Sequence, residues 1–403
     1  MNIIWITLES IIPANSGGRL GVFKRLEQIS KYNDVYLYYP YDEVKELEAV
    51  KQLEKYCKEV HPYYRKKKDI VAIVKTAIKM LRYPYTIASR CIDELQTDIN
   101  ECIKKNNIQL INIDFPHMCV NLRGIKQNNI PVVLNEHNIE WKVYRNIGRS
   151  KKNVLKKIAY LVDSYRLKKY ESKLLCEGKI AKLTFVSEKD MNEMIDSRIV
   201  KRNECALIPV GADDLSLEPH KNKNEKIIAF IGKMSYAPNI EAAEWFVREI
   251  FPKIKKKVDN CKFYIVGKEP SNTLLKLASE DVVVTGMVDS VRDYYQNADL
   301  IVLPLKNGGG VKVKLLEALG YNKKIVSTST GVEGTTYADN KTIPVSDDAD
   351  EFAAFCINAL IKEDWNKEKY AEARDKFLNN YTWEIIGKKY NSVLEEVVKL
   401  NAQ

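Results

Sequence analysis

The sequence predicts an α/β protein with two domains, each built on a doubly wound, Rossmann-like parallel sheet. First, 403 residues exceed what one hydrophobic core usually organises, so two domains of roughly 200 residues each are expected. Second, apolar runs of strand length alternate with helical patterns in both halves of the chain. Third, a polar, lysine-rich run at 209–225 separates the two series and is the predicted linker.

The composition limits the class of protein. With 45% hydrophobic and 29% charged residues, we expect a soluble globular protein. Eight cysteines without a Cys-x-x-Cys pair predict neither a zinc site nor a disulfide framework, and favour a reducing compartment. The N-terminus lacks the pattern of a signal peptide, and no run of about 20 apolar residues is present, so we expect a cytoplasmic protein, with association at the inner face of the cell membrane left open.

The net charge of +10 attracts phosphorylated ligands, acidic lipids or nucleic acid without choosing among them. Nucleic-acid binding is not expected, because no basic strand carries interleaved aromatic residues that would stack on bases. No metal site is expected either. The Asp348-Ala-Asp350 pair follows a predicted strand and is read as the start of a helix.

The chain begins with a βαβ unit. A strand at Asn2–Leu8, a turn at Ser16-Gly17-Gly18, a helix and a strand at Asp34–Tyr39 follow one another. Gly17 and Gly18 are candidate donor-binding residues, because glycine lets the backbone approach a ligand closely. The third glycine and the acidic ribose partner of the dinucleotide fingerprint are missing, which argues against NAD.

Two stretches, 65–82 and 145–173, place lysine and arginine between apolar residues at helical spacing. Both predict amphipathic helices with a cationic rim. In the interpretation that we favour for 65–82, the helix packs its apolar face on the sheet. In the alternative, either stretch contacts an anionic membrane surface or forms part of a wall that binds an acceptor.

Polar residues follow two predicted strands of the first half, Gln109–Asp114 and Pro131–Asn135. Asp114 and His117 come at the end of the first, and His137 follows the second. The carboxyl ends of parallel strands line the ligand crevice of such sheets, so these three are the candidate catalytic residues. The alternative is that each histidine caps a turn by hydrogen bonding.

The second half repeats the βα rhythm and ends in an amphipathic helix at Trp383–Leu400. Gly232, Gly267 and Gly286 each close a predicted strand, which places glycine turns at the carboxyl edge of the sheet. The predicted strands are Lys226–Ile231, Cys261–Val266, Asp281–Val284, Asp299–Leu303, Lys324–Ser327 and Thr342–Val345.

The stretch 303–320 carries the strongest functional signal. A buried strand leads into a glycine turn, and Val311, Leu315 and Leu319 recur at helical spacing behind it. A helix start with nearby lysines binds a phosphate, and a glutamate two turns on accepts hydrogen bonds from hydroxyl groups. A nucleotide sugar is therefore the expected ligand. The candidate contacts here are Gly308, Gly309, Gly310, Val311, Lys312, Lys314 and Glu317.

Several of these stretches resemble the group 1 glycosyltransferases (family 4) of GT-B fold. The resemblance implies two domains facing each other across a cleft, an acceptor-side domain at 1–208, a donor domain at 226–382, and a last helix, 383–403, that returns to the first domain. It also implies transfer from a nucleotide sugar, without a cofactor, to a glycan or lipid-linked acceptor. UDP and GDP are not distinguished. The stretches are Ile228–Asn239, Phe263–Gly267, Val284–Val288, Tyr294–Asp299, Asn307–Ala318, Ile325–Thr328 and Gly331–Gly334.

The resemblance also implies roles for single residues. Glu317 matches the glutamate that binds the donor ribose, and Lys233 matches a residue that pairs with the diphosphate. Gly286 and Val288 fall in the segment that faces the nucleobase. Gly309 stands where many family members have a sugar-facing glutamate.

Two alternatives remain at this point. A nucleotide-sugar epimerase of the same fold would share the nucleotide site. A non-catalytic, nucleotide-binding subunit of a glycosylation complex would fit the missing glutamate at Gly309. Fold alone does not choose among these functions.

Overall fold

The computed structural model describes residues 1–14, 17–65, 69–125, 129–216, 225–308, 310–339 and 341–402. The chain divides into two compact units. The first comprises Met1–Pro209 together with Ile386–Gln403, and the second comprises Val210–Ile385.

The first unit is built on a parallel sheet. Its strands are β1 (Asn2–Ile6), β2 (Asp34–Tyr41), β3 (Glu59–Tyr64), β4 (Ile108–Asp114), β5 (Val132–Glu136), β6 (Lys182–Phe185) and β7 (Cys205–Leu207). Over the described residues the order is β3-β2-β1-β4-β5-β6-β7, and every pairing is parallel. Helices cover both faces of such a sheet, which explains why the central strands are apolar runs without alternation: Ile3, Ile4, Trp5 and Ile6 are all fully buried.

The helices of this unit connect and cover the strands. They are α1 (Gly17–Ile29), α2 (Val50–Leu53), α3 (Ile70–Met80), α4 (Tyr85–Ala88), α5 (Asp93–Lys105), α6 (Glu140–Ser150), α7 (Val154–Cys176) and α8 (Glu188–Asp196). Short 3₁₀ helices lie at Val44–Ala49, Pro116–Leu122 and Arg202–Glu204.

The second unit has its own parallel sheet. Its strands are β8 (Lys226–Ile231), β9 (Cys261–Val266), β10 (Val282–Gly286), β11 (Leu300–Leu303) and β12 (Ile325–Ser327). In the part of the chain described, their order is β10-β9-β8-β11-β12. The helices are α9 (Ala237–Trp245), α10 (Phe251–Lys255), α11 (Asn272–Leu275), α12 (Arg292–Asn297), α13 (Val313–Gly320), α14 (Ser329–Val332), α15 (Ala349–Ile361) and α16 (Lys367–Asn380), with a π-helical turn at Phe246–Ile250 and a 3₁₀ helix at Thr336–Asp339.

The last helix, α17 (Trp383–Asn401), begins in the second unit and packs into the first, as the sequence predicts. Its apolar positions Ile386, Tyr390, Leu394 and Val397 are buried. The Tyr390 hydroxyl reaches the side-chain oxygens of Asn112 and Asn135, at 2.7 Å from each. Next to it, a Cβ on Gly387 would lie 2.3 Å from Gln28 Cβ on α1, so only glycine allows this approach.

One predicted strand is wrong. Thr342–Val345 forms no strand, and only an isolated bridge joins Val345 to Ser327 at the end of β12. Pro344 lacks an N–H to donate, so a continued ladder at this edge is not available. Just beyond, Asp348 accepts hydrogen bonds from the amides of Asp350 and Glu351, and it caps α15 as predicted.

The favoured interpretation of 65–82 is also wrong. Residues 66–68 lie outside the described residues, and in the remainder no residue of α3 is buried. Val71 keeps 60% and Ile78 keeps 61% of its surface exposed. The second basic stretch, 145–173, is divided at Asn153, whose side chain accepts from Lys156 N and begins α7.

Candidate functional site

Glycine turns at the carboxyl edge of the second sheet pack directly against one another. A Cβ on Gly267, which follows β9, would lie 1.7 Å from the Gly232 carbonyl oxygen after β8. A Cβ on Gly232 would in turn lie 2.7 Å from Lys314 Nζ. A side chain at Gly267 would separate the two strand ends, and one at Gly232 would displace the Lys314 amine from its place against the backbone.

Lys314 lies in the first turn of α13 with a neutral hydrogen-bond partner. Its Nζ donates to Asn239 Oδ1 at 2.8 Å and lies 4.4 Å from the centroid of the Phe230 ring. Asn239 is itself fixed, because its Nδ2 donates to the Lys233 carbonyl at 2.8 Å. Burial lowers the pKa of Lys314 to about 7, although the nearby Glu317 carboxylate opposes the shift.

The glycine turn before α13 is held by its own lysine. Gly308 and Gly310 adopt positive φ angles of 122° and 71°, and Lys312 Nζ donates to their carbonyl oxygens at 3.3 and 2.6 Å. Gly309 lies outside the described residues. This bonding keeps the chain out of the helix until Val313, so the prediction that Val311 belongs to the helix is wrong; Val311 lies against Gly334 instead.

The start of α13 is suited to an anion. The helix has no acidic residue in its first turn and no side-chain cap at Lys312. The first amides of a helix and its dipole favour negative charge, and Lys314 adds a cation in that turn. The predicted phosphate-binding residues are therefore brought together around one helix end.

Glu317 lies on α13 one turn after Lys314. The Tyr295 hydroxyl donates to its Oε2 at 2.9 Å, and the Tyr295 ring stacks on Tyr321 with centroids 4.7 Å apart. Burial raises the pKa of Glu317, while Tyr295 and Lys314 both act to lower it. The glutamate is thus a positioned acceptor. Tyr295 was not singled out from the sequence, although its place in the motif stretch 294–299 marked the region.

Two other predicted donor contacts lie at neighbouring strand ends. Lys233 follows β8, and its Nζ pairs with Glu269 Oε2 at 3.1 Å with both side chains about half exposed. Gly286 ends β10 with a φ of 70°, and Val288 packs against the core behind it. These residues share the carboxyl edge of the sheet with α13.

In the first unit, a buried ion pair stands at the end of β4. Asp114 is fully buried and accepts hydrogen bonds from Trp5 Nε1 and from Arg25 Nη2, the latter at 3.0 Å. Burial opposes ionisation, but the Arg25 charge and the bonds from His137 and Trp5 outweigh it and lower the pKa of Asp114. Arg25 was missed. Its place on the apolar face of α1, between Val22 and Leu26, was the signal that could have found it.

His137 joins this pair. Its Nε2 lies 2.8 Å from both Asp114 Oδ1 and Arg25 Nη2, so one tautomer donates to the carboxylate and the other accepts from the guanidinium. Its ring stacks on Phe115, with centroids 4.3 Å apart. Burial and Arg25 lower the pKa of His137 although the Asp114 carboxylate opposes them, and the lowered pKa favours the neutral ring.

His117 does not join them. It is buried in the 3₁₀ helix after β4, and neither ring nitrogen has a hydrogen-bond partner within the described ranges. Burial lowers its pKa to about 4. The alternative that His117 caps a turn is therefore wrong. Gly17 and Gly18 open α1. Beyond their own helix, no described residue comes within 4 Å of a Cβ built on either, and Ser16 before them lies outside the described residues.

Residues 225–362, which contain the glycine turn and α13, match the family model of the group 1 glycosyl transferases. This region of the second unit therefore carries a group 1 glycosyl transferase domain. The resemblance predicted from the sequence is confirmed over this region. An uncharacterised 44.6 kDa protein in the cps region of Klebsiella pneumoniae is 25% identical over 369 residues, covering 88% of this chain and 90% of that protein.

Solved structures confirm the GT-B fold class of this glycosyltransferase. A glycosyltransferase from Rickettsia africae ESF-5 matches with a TM-score of 0.65 at 14% identity, covering 98% of both chains. Anabaena Alr3699/HepE in complex with UDP and glucose also scores 0.65, at 10% identity, over 98% of this chain and 100% of the other. WaaG, involved in lipopolysaccharide biosynthesis, scores 0.63 at 11% identity, over 97% and 99%.

Proposed function

We propose that this glycosyltransferase moves a sugar from a nucleoside-diphosphate donor to a glycan or lipid-linked acceptor in the synthesis of cell-surface polysaccharide or glycolipid. The observation that carries the donor is the pairing, on α13, of a helix-end cation with a fixed carboxylate one turn later. UDP in the HepE structure supports the donor class. The cps-region relative supports the pathway class.

The proposed roles follow from charge. Departure of the nucleoside diphosphate leaves negative charge on the β-phosphate, which the α13 amides, Lys314 and Lys312 stabilise. Glu317 accepts hydrogen bonds from the ribose, and Lys233 reaches the diphosphate by leaving Glu269. Because protein cations supply the charge, we propose a metal-independent reaction, with retention of anomeric configuration as the family implies.

For the first unit, we propose that residues 1–208 form the acceptor-side domain and that His137 contacts a sugar. Of the bonded pair, His137 keeps 10% of its side chain accessible, whereas Asp114 keeps none. Arg25 and Asp114 are accordingly positioning residues that orient the ring. Residues 226–382 are the proposed donor domain.

Ligand-induced stabilisation tests the donor class. At a hundredfold excess over Kd, a bound nucleoside diphosphate should stabilise the protein by about 2.7 kcal/mol, which is a shift of a few degrees in Tm. UDP, GDP and ADP are compared by thermal denaturation, with the matching nucleosides as controls because they lack the diphosphate. Equal Tm values in all samples at millimolar ligand would contradict the proposed site.

The pKa of Lys314 predicts how donor binding depends on pH. The free protein holds this lysine about half protonated at pH 7, and a diphosphate favours its charged form. Binding should take up a proton, so nucleoside-diphosphate affinity should fall by up to about tenfold per pH unit above pH 7. Calorimetry between pH 7.5 and 9, where a diphosphate whose last pKa is about 6 stays fully ionised, isolates the lysine.

The matched variant is Lys314→Met, which should bind more weakly and show a flat profile over that range. Without ligand, the free energy of unfolding of the wild type should rise as the pH increases above 7, because the unfolded chain then binds more protons than the folded one. A wild-type affinity independent of pH would show that Lys314 does not contact the diphosphate.

We further propose that this enzyme contacts an anionic membrane surface through α3 and the first half of α7. Apolar side chains on both are exposed while lysines flank them, which is the pattern of an interfacial helix. Among the described residues, no helix is long and apolar enough to cross a membrane. The exposed apolar residues are Ile70, Val71, Ile73, Val74, Ile78, Leu81, Val154, Leu155, Ile158 and Val162.

Introducing charge on α3 should release the enzyme from vesicles. Val74→Glu combined with Ile78→Glu should weaken binding to phosphatidylglycerol vesicles at least about tenfold, since it removes apolar contact and adds repulsion. Vesicle flotation measures the fraction of protein bound. Val44→Glu, a change at a 72% exposed apolar residue on another helix, is the control and should float like the wild type. If the wild type, the double variant and Val44→Glu all floated equally, the proposed membrane contact of α3 would be contradicted.

A further inference from the structure

A cavity of about 520 Å³ opens in the first unit. It lies between the segment after α3, the chain around Arg123 and the second half of α7. Tyr83 contributes to its wall, and Arg123 Nη1 donates to the Tyr83 hydroxyl at 2.8 Å. No predicted donor or catalytic residue lines it.

The charge of the cavity is unbalanced. Among the described side chains that line it, six are cationic and one, Glu177, is acidic. Glu177 is shared by two of the cations, at 3.1 Å from Lys179 and 3.8 Å from Lys173. Arg166 donates to a backbone carbonyl, that of Met80. The six cationic residues are Arg82, Arg123, Arg166, Lys169, Lys173 and Lys179.

Much of the remaining wall is apolar. The lining residues Val120, Leu122, Ile125 and Leu174 are buried. A small, fully hydrated anion would gain no binding energy from these apolar side chains. An amphiphile would bury its apolar groups against them and place its anionic group beside the cationic side chains. The cavity therefore has the two chemistries of a phospholipid headgroup and its adjoining glycerol and acyl carbons.

We propose that this cavity binds the phosphate of an anionic membrane lipid. The phosphate chemistry alone would also fit a free phosphate ester; continuity with α3 favours the lipid. Arg82 follows the exposed apolar helix directly, and the bond from Arg166 to the Met80 carbonyl joins that helix end to the cavity wall. The inference rests on the proposed membrane contact of α3, and adds a defined headgroup site to it.

Calorimetry with a lipid below its micelle concentration tests the site without a bilayer. Dihexanoyl phosphatidic acid is titrated into the full chain, with inorganic phosphate and dihexanoyl phosphatidylcholine as comparison ligands. Phosphatidic acid should bind at one site per chain, at least tenfold more tightly than either comparison ligand. Lys169 and Lys173 are exposed and one turn apart on α7, so Lys169→Gln with Lys173→Gln should fold normally and lose at least tenfold in affinity.

Two controls separate the outcomes. Lys51→Gln with Lys55→Gln removes the same charge from exposed positions outside the cavity and should bind like the wild type. The Tm shift with nucleoside diphosphate should persist in both double variants, so failure of the lipid site is distinguishable from failure of the donor site. Equal affinity for inorganic phosphate, or equal loss in both double variants, would overturn the proposal.

Discussion

Replacing Glu317 with Gln should lower kcat/KM for the nucleotide sugar by about a hundredfold to a thousandfold while the protein stays folded. A carboxylate that accepts from two neighbouring ribose hydroxyls makes two charge-assisted hydrogen bonds, each contributing roughly 1.5–3 kcal/mol. Glutamine keeps the shape and one acceptor oxygen but loses the charge. Initial rates of nucleoside-diphosphate release, with candidate lipid-linked acceptors present, measure the effect.

Tyr295→Phe is the matched control for Glu317→Gln. It removes the 2.9 Å hydrogen bond to Glu317 but keeps the carboxylate and the stacking on Tyr321, so we expect a loss of about tenfold only. If Glu317→Gln transferred sugar at the wild-type rate, the proposal that Glu317 binds the donor ribose would be rejected. The alternative of a non-catalytic, nucleotide-binding subunit would then be favoured. Formation of an epimer from donor alone would instead favour the epimerase.

The geometry of the proposed donor site was predictable because its signals are local. Strand, glycine turn and helix follow one another within 303–320, so the sequence order is also the spatial order. Glu317 and Lys314 fall one turn apart on a single helix, and the helical period alone brings them together. The glycines after β8 and β9 could be assigned to strand ends, but their contact with one another depends on sheet pairing and was not predictable.

The first unit was harder because its decisive contacts join distant parts of the chain. Arg25 meets Asp114 across 89 positions, and Tyr390 meets Asn112 across 278. A cationic residue on the apolar face of a helix indicates that a buried partner exists but does not identify that partner. The same limit explains the error at α3, since amphipathic spacing predicts an apolar face but not what covers it.

Some local rules were outweighed by single side chains. Val311 fits the helical period, yet the Lys312 bonds to the Gly308 and Gly310 carbonyls delay the helix. The apolar composition of Thr342–Val345 suits a strand, yet Pro344 interrupts its hydrogen bonding. Missed strands, such as β3, carry polar and proline residues that weaken the strand pattern.

Arg25→Met should reduce the free energy of unfolding by about 3–5 kcal/mol, because it leaves the Asp114 carboxylate buried without its cation. Urea unfolding monitored by circular dichroism measures the change. In the double variant Arg25→Met with Asp114→Asn, most of the loss should be recovered, since no unpaired buried charge remains. A double variant as unstable as the single one would show that Arg25 acts through packing alone.

Lowering the pH should restore part of the stability that Arg25→Met loses relative to the wild type. In the wild type the lowered pKa of Asp114 gives stability that is present above the ordinary carboxyl pKa of about 4 and is lost only as the pH falls through the lowered value. Without Arg25, burial raises the pKa of Asp114, and protonation of Asp114 or of the bonded His137 relieves the charge. The difference in unfolding free energy should therefore shrink between pH 7 and about pH 4.5. A constant difference across that range would contradict the buried ion pair as its cause.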